Sequence, residues 1–584
     1  MNKKTAKSIN PLNTAPWRYY LVLAIVALIY LSLMARTAYI QIIQPEMLKK
    51  QGDLRSLRVA ANTVQRGSIV DRNGAELAIS VPVETVWADP KIIMDHNALS
   101  MTKHWQALAD VLDQDINKLT ARVVKSARKR FIYLERKISP AVANYIKELK
   151  IPGIHLRKES KRFYPTGEIS AHLIGFTNVD DQGIEGIERI YDDLLTGTGG
   201  AKRFRKDAKG RKIEIISVEE AEQAQNITLS IDQRIQAIAY KELKGAVQAF
   251  KASSGSVVVA NAHTGEILAL TNSPSYNPNN RRNTAIHRFR NRAITDIYEP
   301  GSTMKPLTAL AALEFGSVTA NTVLNTSPGW MRLGGRRVSD PINRGKLSIE
   351  DILVTSSNMG TAKLALSVPK DYLLDKFFDV GFSEDTGTDL IGESAGMMHD
   401  RSRWSKFELA TLSFGYGLAI TPMQLARFYA TLANGGVKRE LSIVRQAEQE
   451  EGERIFSQEN SLAIVNMLEG VVDEHVPKAK VDGYRVGGKT GTSFKAVAGG
   501  YGNDYVGLFA GMAPISKPEI VVVVVINDPG GDLYHGGEVA APVFSRVMKG
   551  ALRVLNIAPD AQKVQTASKP AVQADKASAG EHNA

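Results

Sequence analysis

With 584 residues, 43% of them hydrophobic and 23% charged, the chain has the composition of a mostly globular protein, too long for one ordinary core, in which any membrane-embedded part is small. It has no cysteine, which excludes disulfides, thiolate catalysis and cysteine-ligated zinc, and its ten histidines include no close pair at metal-ligand spacing, so neither a metal nor another cofactor is expected. The net charge of +12 leaves acidic partners open, but the basic clusters at 125–130, 157–162 and 202–212 carry no interleaved aromatic platform or recognisable reading-helix motif, and solvated faces with no nucleic-acid partner are expected.

Lys3, Lys4, Lys7 and Arg18 precede a charge-free run from Tyr19 to Ala35, with no acidic residue among them. The run exceeds the ~7–15 residues of a signal-peptide core and lacks a small-residue cleavage site, which predicts an uncleaved single-pass anchor over 19–43. Arg36 snorkels in this reading. The positive flank predicts a cytoplasmic tail over 1–18 and places the chain from residue 44 onward outside, in the periplasm or its equivalent. No later run is long enough to cross; 520–526 reads as a buried strand.

Arg66-Gly67-Ser68-Ile69-Val70-Asp71-Arg72-Asn73-Gly74, followed by the alternating stretch 76–87, predicts a β-hairpin. Helical periodicity follows over 108–119 and 141–149, then Arg162-Phe163-Tyr164-Pro165. His172 lies inside an apolar segment with no serine or carboxylate motif beside it and reads as structural. Gly183, Gly186 and Gly197-Thr198-Gly199-Gly200 lack the Gly-Lys-Ser/Thr ending of a phosphate loop and read as turns. The acid-rich stretch 219–225 predicts a domain boundary. Beyond it, strand 227–230, helix 232–250, strand 256–260, a His263-Thr264-Gly265 turn and strand 266–270 predict the opening of an α/β sandwich.

Mid-chain, Glu299-Pro300-Gly301-Ser302-Thr303-Met304-Lys305-Pro306 runs into the helix-forming segment 307–313. Pro300-Gly301 is turn chemistry and proline is tolerated only in a first helical turn, so a helix should begin near Ser302. The dipole then favours negative charge on the Ser302 oxygen, with Lys305 on the same face as a base. Serine and lysine at this spacing also occur at Ser100/Lys103, Ser126/Lys129 and Ser367/Lys370, so the pair alone is a weak signal. What singles out Ser302 is the ordered company of Ser356-Ser357-Asn358 and of Lys489-Thr490-Gly491-Thr492. Lys489 should lie on a strand edging the site, which suits an extended peptide substrate. Strands over 505–513 and 520–526 and a helix over 541–555 close the domain, and from residue 561 the composition predicts a disordered tail.

These three motifs, with the anchor, the Arg66 and Arg162 strings, Ser273-Pro274-Ser275-Tyr276-Asn277-Pro278-Asn279 and Ser413-Phe414-Gly415-Tyr416-Gly417 followed by Thr421-Pro422, make the chain resemble the class B penicillin-binding proteins over nearly its whole length, and within them the cell-division D,D-transpeptidases of Gram-negative bacteria. The resemblance implies a mostly-β non-catalytic pedestal over 44–220 and, over 226–560, a transpeptidase domain with the α/β/α sandwich shared by serine β-lactamases. Residues 561–584 form the tail. It implies that Ser302 attacks the penultimate D-alanine carbonyl of a peptidoglycan stem peptide and releases the last D-alanine, and that β-lactams acylate the same serine. Lys305 would be the base, Ser356 the relay to the leaving amine and Asn358 the holder of Lys305 and the substrate amide. Lys489 would supply positive charge, Thr490, Gly491 and Thr492 the carboxylate site, and the backbone N–H groups of Ser302 and Thr492 the oxyanion hole.

Expected partners are donor and acceptor stems, β-lactams, the membrane, a polytopic glycan polymerase and other division proteins. Ser493-Phe494-Lys495 and the glycine-rich loop at 499–502 depart from the alanine that follows the triplet and its threonine in many relatives. An elongation-type transpeptidase, a hydrolase of the D,D-carboxypeptidase or β-lactamase kind, and a division scaffold or β-lactam sensor remain alternatives. The anchor and pedestal favour transpeptidation, and a bifunctional class A synthase is disfavoured because the pedestal resembles no glycosyltransferase.

Overall fold

The structure is a computed structural model that describes residues 16–61, 65–197, 201–207, 212–218, 223–398, 403–446, 451–497 and 500–561. Most of the expected cytoplasmic tail, and the expected C-terminal tail from residue 562, lie outside the described residues. Internal contacts divide the chain into residues 1–64 with 197–224, and residues 65–196 with 225–584.

In the first unit, a helix over Pro16–Ala38 continues through a π-helical turn, Tyr39–Ile43. The 28 residues Pro16–Ile43 are long and apolar enough to cross a bilayer, and the most apolar stretch has no residue buried in the protein. The Arg36 guanidinium lies 5.5 Å from the Tyr39 ring centroid, at the end where a snorkelling cation is tolerated. A helix over Pro45–Ser56 leads into a three-stranded antiparallel sheet of Leu57–Ala61, Ala201–Lys206 and Lys212–Val218.

The second unit starts with the predicted hairpin, β1 (Ile69–Val70) and β2 (Glu76–Ala88). Its turn is set by the Asp71 carboxylate, which accepts from the backbone N–H groups of Asn73 and Ala75 at 2.8 Å each. β2 pairs with both β3 (Ile132–Ile138) and β4 (Ile154–Phe163). The periodicity over 108–119 does not form one helix. Helices Thr102–Val111 and Ile116–Lys125 are separated where Asp113 adopts φ +52° and Asp115 caps the second helix through Lys118 N–H. The apolar positions stay in phase across the break, with Leu108, Leu112 and Leu119 in one core, so periodicity hid what the aspartates' local hydrogen bonding imposes. Arg66 and Arg162, from the two strings singled out in the sequence, converge on the fully buried Glu188 at 2.8 and 2.6 Å, and Arg66 also reaches Asp192 at 2.6 Å. His172 is buried, its Nε2 is 2.8 Å from the Arg288 carbonyl oxygen, and burial pushes its pKa down to about 4.

The strand expected over 227–230 is the two-residue β5 (Ile227–Thr228), and it does not open the sandwich: it runs parallel to β1. Its backbone is taken up there because Ile227 N–H donates to Ser68 and Leu229 N–H to Val70. The sandwich begins with α1 (Gln233–Ala249), β6 (Ser254–Asn261) and β7 (Ile267–Ser273). It continues through α2 (Lys305–Phe315), α3 (Asn358–Leu366), α4 (Pro422–Ala433), β8 (Gly487–Val497), β9 (Gly500–Ala513), β10 (Ile520–Asn527) and α5 (Ala541–Val554). The sheet order is β7-β6-β10-β9-β8, antiparallel throughout. α1 and α5 pack together on one face and α4 on the other, which is why the valine run of β10 is buried at consecutive positions. β8, carrying Lys489, is an edge strand.

Candidate active site

Ser302 sits in a single 3₁₀ turn, Gly301–Met304, from which α2 departs at Lys305 with Pro306 in its first turn. The turn is clamped from three sides. Gly301 N–H donates to the Gly415 carbonyl at 3.1 Å, the buried Tyr429 hydroxyl of α4 donates to the Thr303 carbonyl at 3.0 Å, and the Thr303 hydroxyl donates to Pro300 at 2.7 Å. Glycines make this approach possible. A Cβ at Gly415 would stand 2.1 Å from the Gly301 carbonyl oxygen, and one at Gly491 of β8 would stand 2.7 Å from that of Pro300. Gly301 itself has φ +54°, and a Cβ on it would lie 3.3 Å from the Thr492 carbonyl oxygen and 3.7 Å from its nitrogen.

The Lys305 side chain is fully buried and Ser302 partly exposed. Lys305 Nζ donates to Asn358 Oδ1 at 2.8 Å, to Ser356 Oγ at 3.1 Å and to the Ser356 carbonyl, while Ser356 Oγ donates to Ser302 Oγ at 3.0 Å. Lys305, Ser356 and Ser302 thus form one continuous hydrogen-bonded chain. Ser356 holds a left-handed backbone, φ +57°, a conformation that costs a non-glycine residue about 1–3 kcal/mol and is kept only where the surroundings enforce it. Burial first, and the neighbouring Lys489 charge second, hold the Lys305 pKa well below the usual lysine range, with Asp340 opposing. Burial lowers Lys489 to about 8.

Two acidic residues that the sequence reading did not single out support this chain. Asp340 accepts from the Ser357 hydroxyl and, through Oδ1, from Met359 N–H at 3.0 Å, fixing the start of α3 where Ser357 is the cap. Glu299 accepts through Oε1 from Gly417 N–H at 2.9 Å and from the Tyr501 hydroxyl at 3.3 Å, and burial raises its pKa. Neither position carried a local signal beyond a polar residue next to a proline.

Along β8, Lys489 and Gly491 are buried while Thr490 and Thr492 are half-exposed, and the Thr492 hydroxyl accepts from Gly536 N–H at 3.1 Å. A cleft of about 430 Å³ runs past Ser356, Lys489, Thr490 and Thr492. The structure therefore brings Ser302, Lys305, Ser356 and Asn358 into direct hydrogen-bonded contact and sets Lys489, Thr490, Gly491 and Thr492 on the adjoining strand. Beyond Thr492, the departing segment builds aromatic contacts: Phe494 lies 4.8 Å from Tyr505 by ring centroids, and Tyr416 lies 6.0 Å from Tyr501.

Residues 255–549 match the penicillin binding protein transpeptidase domain, and residues 61–229 the penicillin-binding protein dimerisation domain. The chain is 47% identical over 555 residues to the peptidoglycan D,D-transpeptidase FtsI of Escherichia coli K12, covering 94% of each chain. It is 41% identical over 563 residues to the protein of the same name from Buchnera aphidicola (subsp. Schizaphis graminum), covering 96% of this chain and 99% of that one. Among solved structures, a peptidoglycan synthetase from Bifidobacterium adolescentis superposes with a TM-score of 0.70 at 25% identity, covering 87% of this chain and 98% of that chain.

Proposed function

The chain belongs to the class B penicillin-binding proteins, and we propose that it is a peptidoglycan D,D-transpeptidase of the cell-division kind, with Ser302 as the acyl-carrying nucleophile. The observation that carries the reading is the chain from Lys305 through Ser356 to Ser302, ending on a lysine that burial and Lys489 hold toward its neutral form. A neutral Lys305 reverses the direction of those bonds. Ser302 O–H then donates to Ser356, Ser356 O–H donates to Nζ, and the serine proton has a path away as Oγ attacks the penultimate D-alanine carbonyl. Ser356 returns the proton to the departing D-alanine amine, and Asn358 keeps Nζ in place.

Lys489, still mostly charged near neutral pH, supplies positive potential, while the Thr490 and Thr492 hydroxyls take the terminal carboxylate. Gly491 has no side chain and lets the strand close on Pro300. The Ser302 and Thr492 backbone N–H groups form the oxyanion hole, whose individual donors are each worth about 10²- to 10³-fold in rate. An edge strand offers main-chain groups to an extended stem peptide. A second stem's amine resolves the acyl-enzyme into the cross-link, and a β-lactam occupies the same serine covalently.

We further propose that residues 44–220 act as a pedestal, 226–560 as the catalytic domain and 1–18 as a cytoplasmic tail, with the catalytic domain periplasmic. The membrane helix, with no buried residue in its apolar stretch, and the pedestal bind a polytopic glycan polymerase and other division proteins. Deleting residues 1–43 should abolish septal recruitment and leave penicillin acylation intact; unchanged recruitment would refute this role.

The test of the catalytic reading is intact mass after incubation with penicillin, beside Ser302→Ala. A stable adduct on the wild type and none on the variant is expected. Rapid consumption of the drug without an adduct would make the protein a hydrolase, and intact drug without an adduct would make it a scaffold.

A further inference from the structure

Resting on the transpeptidase reading, we propose that Glu538 seats and selects the cationic acceptor amine that resolves the acyl-enzyme. The incoming amine forms the same kind of bond that the departing D-alanine amine breaks, so by microscopic reversibility it enters on the side of Ser356 and the two threonines. The cleft of about 430 Å³ opens on that side, extending to a wall made by the π-helical turn Val471–His475 and the helical turn Gly536–Val539.

An amine in neutral water is an ammonium, and this cleft is otherwise hostile to one. Lys478 and Lys489 both line it, and Glu538 is the one acidic side chain among its described lining residues. Glu538 lines the cleft and its Oε2 accepts no hydrogen bond from the described residues, so that acceptor capacity is left for a donor that enters. The turn that carries it lies against the substrate strand: a Cβ on Gly537 would be 3.5 Å from Thr490 Cγ2, an ordinary contact.

The ammonium pairs with the Glu538 carboxylate, sheds one proton to it, and attacks as the free amine. The new C–N bond forms as the Ser302 Oγ–C bond breaks, the second amine proton returns through Ser356 to Ser302 Oγ, and Glu538 releases its proton to water at the cleft mouth. The Lys478 cation and the threonine hydroxyls are suited to a carboxylate borne beside the amine.

The full-length protein is given an N-acylated peptide ending in D-Ala-D-Ala with deuterated D-alanine as acceptor, and the ratio of exchange to hydrolysis is read by mass spectrometry. That ratio reports how the acyl-enzyme is resolved, whatever the rate at which it formed. In E538Q and E538A it should fall about tenfold or more, the factor carried by one charge-assisted hydrogen bond, and E538D should recover part of it. Methanol, a neutral acceptor, should partition alike in all four proteins. An unchanged exchange ratio in E538Q, or an equal loss with methanol, would overturn the proposal. Absence of a penicillin adduct on the wild type would instead overturn the transpeptidase reading beneath it.

Discussion

Replacing Ser356 separates two things the structure loads onto one residue, a relay hydroxyl and a left-handed backbone at φ +57°. Ser356→Ala removes the only group hydrogen-bonded to both Lys305 Nζ, at 3.1 Å, and Ser302 Oγ, at 3.0 Å, among the described residues, and leaves the backbone conformation in place. Acylation by a fluorescent penicillin should then slow by about 10²- to 10⁴-fold, the contribution of a positioned proton-transfer group. Ser356→Gly loses the same hydroxyl but adopts the left-handed conformation freely. It should be as slow as the alanine variant and more stable than it by about 1 kcal/mol, the lower end of the strain a non-glycine residue carries there. Stopped-flow acylation and denaturant melts of the two variants read the rate and the strain independently. Wild-type acylation by Ser356→Ala would refute the relay, because Lys305 would then reach the nucleophile without it. A glycine variant less stable than the alanine one would refute the account of strain.

The acylation rate should trace a bell against pH. It falls on the acid side as the depressed Lys305 gains the proton that disables it as a base, and falls again above about 8 as Lys489 loses its charge; a profile with no acid limb would count against the Lys305 role, and one with no fall above about 8 against the Lys489 role. Asp340→Asn removes the negative charge that opposes the Lys305 depression, so the acid limb should move to lower pH while the rate at its plateau drops from a loosened α3 start, both visible in one pH series. Glu188→Gln leaves Arg162 buried beside a neutral partner while Arg66 keeps Asp192, and should destabilise the second unit by about 3–5 kcal/mol in urea titration; an unchanged midpoint would refute the tie. Gly415→Ala must displace the Gly301 carbonyl from 2.1 Å, so its acylation should fall at least tenfold at unchanged drug concentration.

The proposed catalytic set was legible where its signal was short in sequence. Ser302 and Lys305 share one helix start, and Lys489 to Thr492 are consecutive on one strand, so spacing and turn chemistry expose them. Asp340, Glu299 and Glu538 left no such trace. Asp340 and Glu538 come from separate segments, and Glu299 opens the string that carries Ser302, yet partners are acquired only through the fold, Asp340 by meeting Ser357 and Glu299 by meeting Gly417 and Tyr501. The same distinction separates the elements. The valine run 520–526 announced a strand covered on both faces, whereas β5 pairs with a partner far back in the chain and only its extended character, not its sheet, could be read. The break at 112–115 was masked because the core positions stay in phase on either side of it while a capping aspartate interrupts the backbone. The string around Arg66 showed a hairpin, and with the string around Arg162 it carried the resemblance; their meeting on Glu188 makes them a structural tie inside the second unit.

Why the site holds two buried lysines follows from what each must be. A base has to be neutral and an anchor for a carboxylate has to be charged, yet burial depresses both side chains alike. The asymmetry comes from their mutual repulsion and from where it is recorded. Lys305 stands in a cage of a carbonyl, an amide oxygen and a hydroxyl, feels the Lys489 charge, and yields its proton first. Once it is neutral, Lys489 keeps its own proton up to about pH 8 without a charged neighbour opposing it. On the proposed mechanism, the positive charge that attracts the stem's carboxylate is therefore also part of what frees the base, and Asp340 limits how far the depression goes, so that the neutral amine remains basic enough to take a serine proton. Substrate recognition and nucleophile activation are in that mechanism coupled through one Coulomb interaction, and a change at Lys489 should act on both at once.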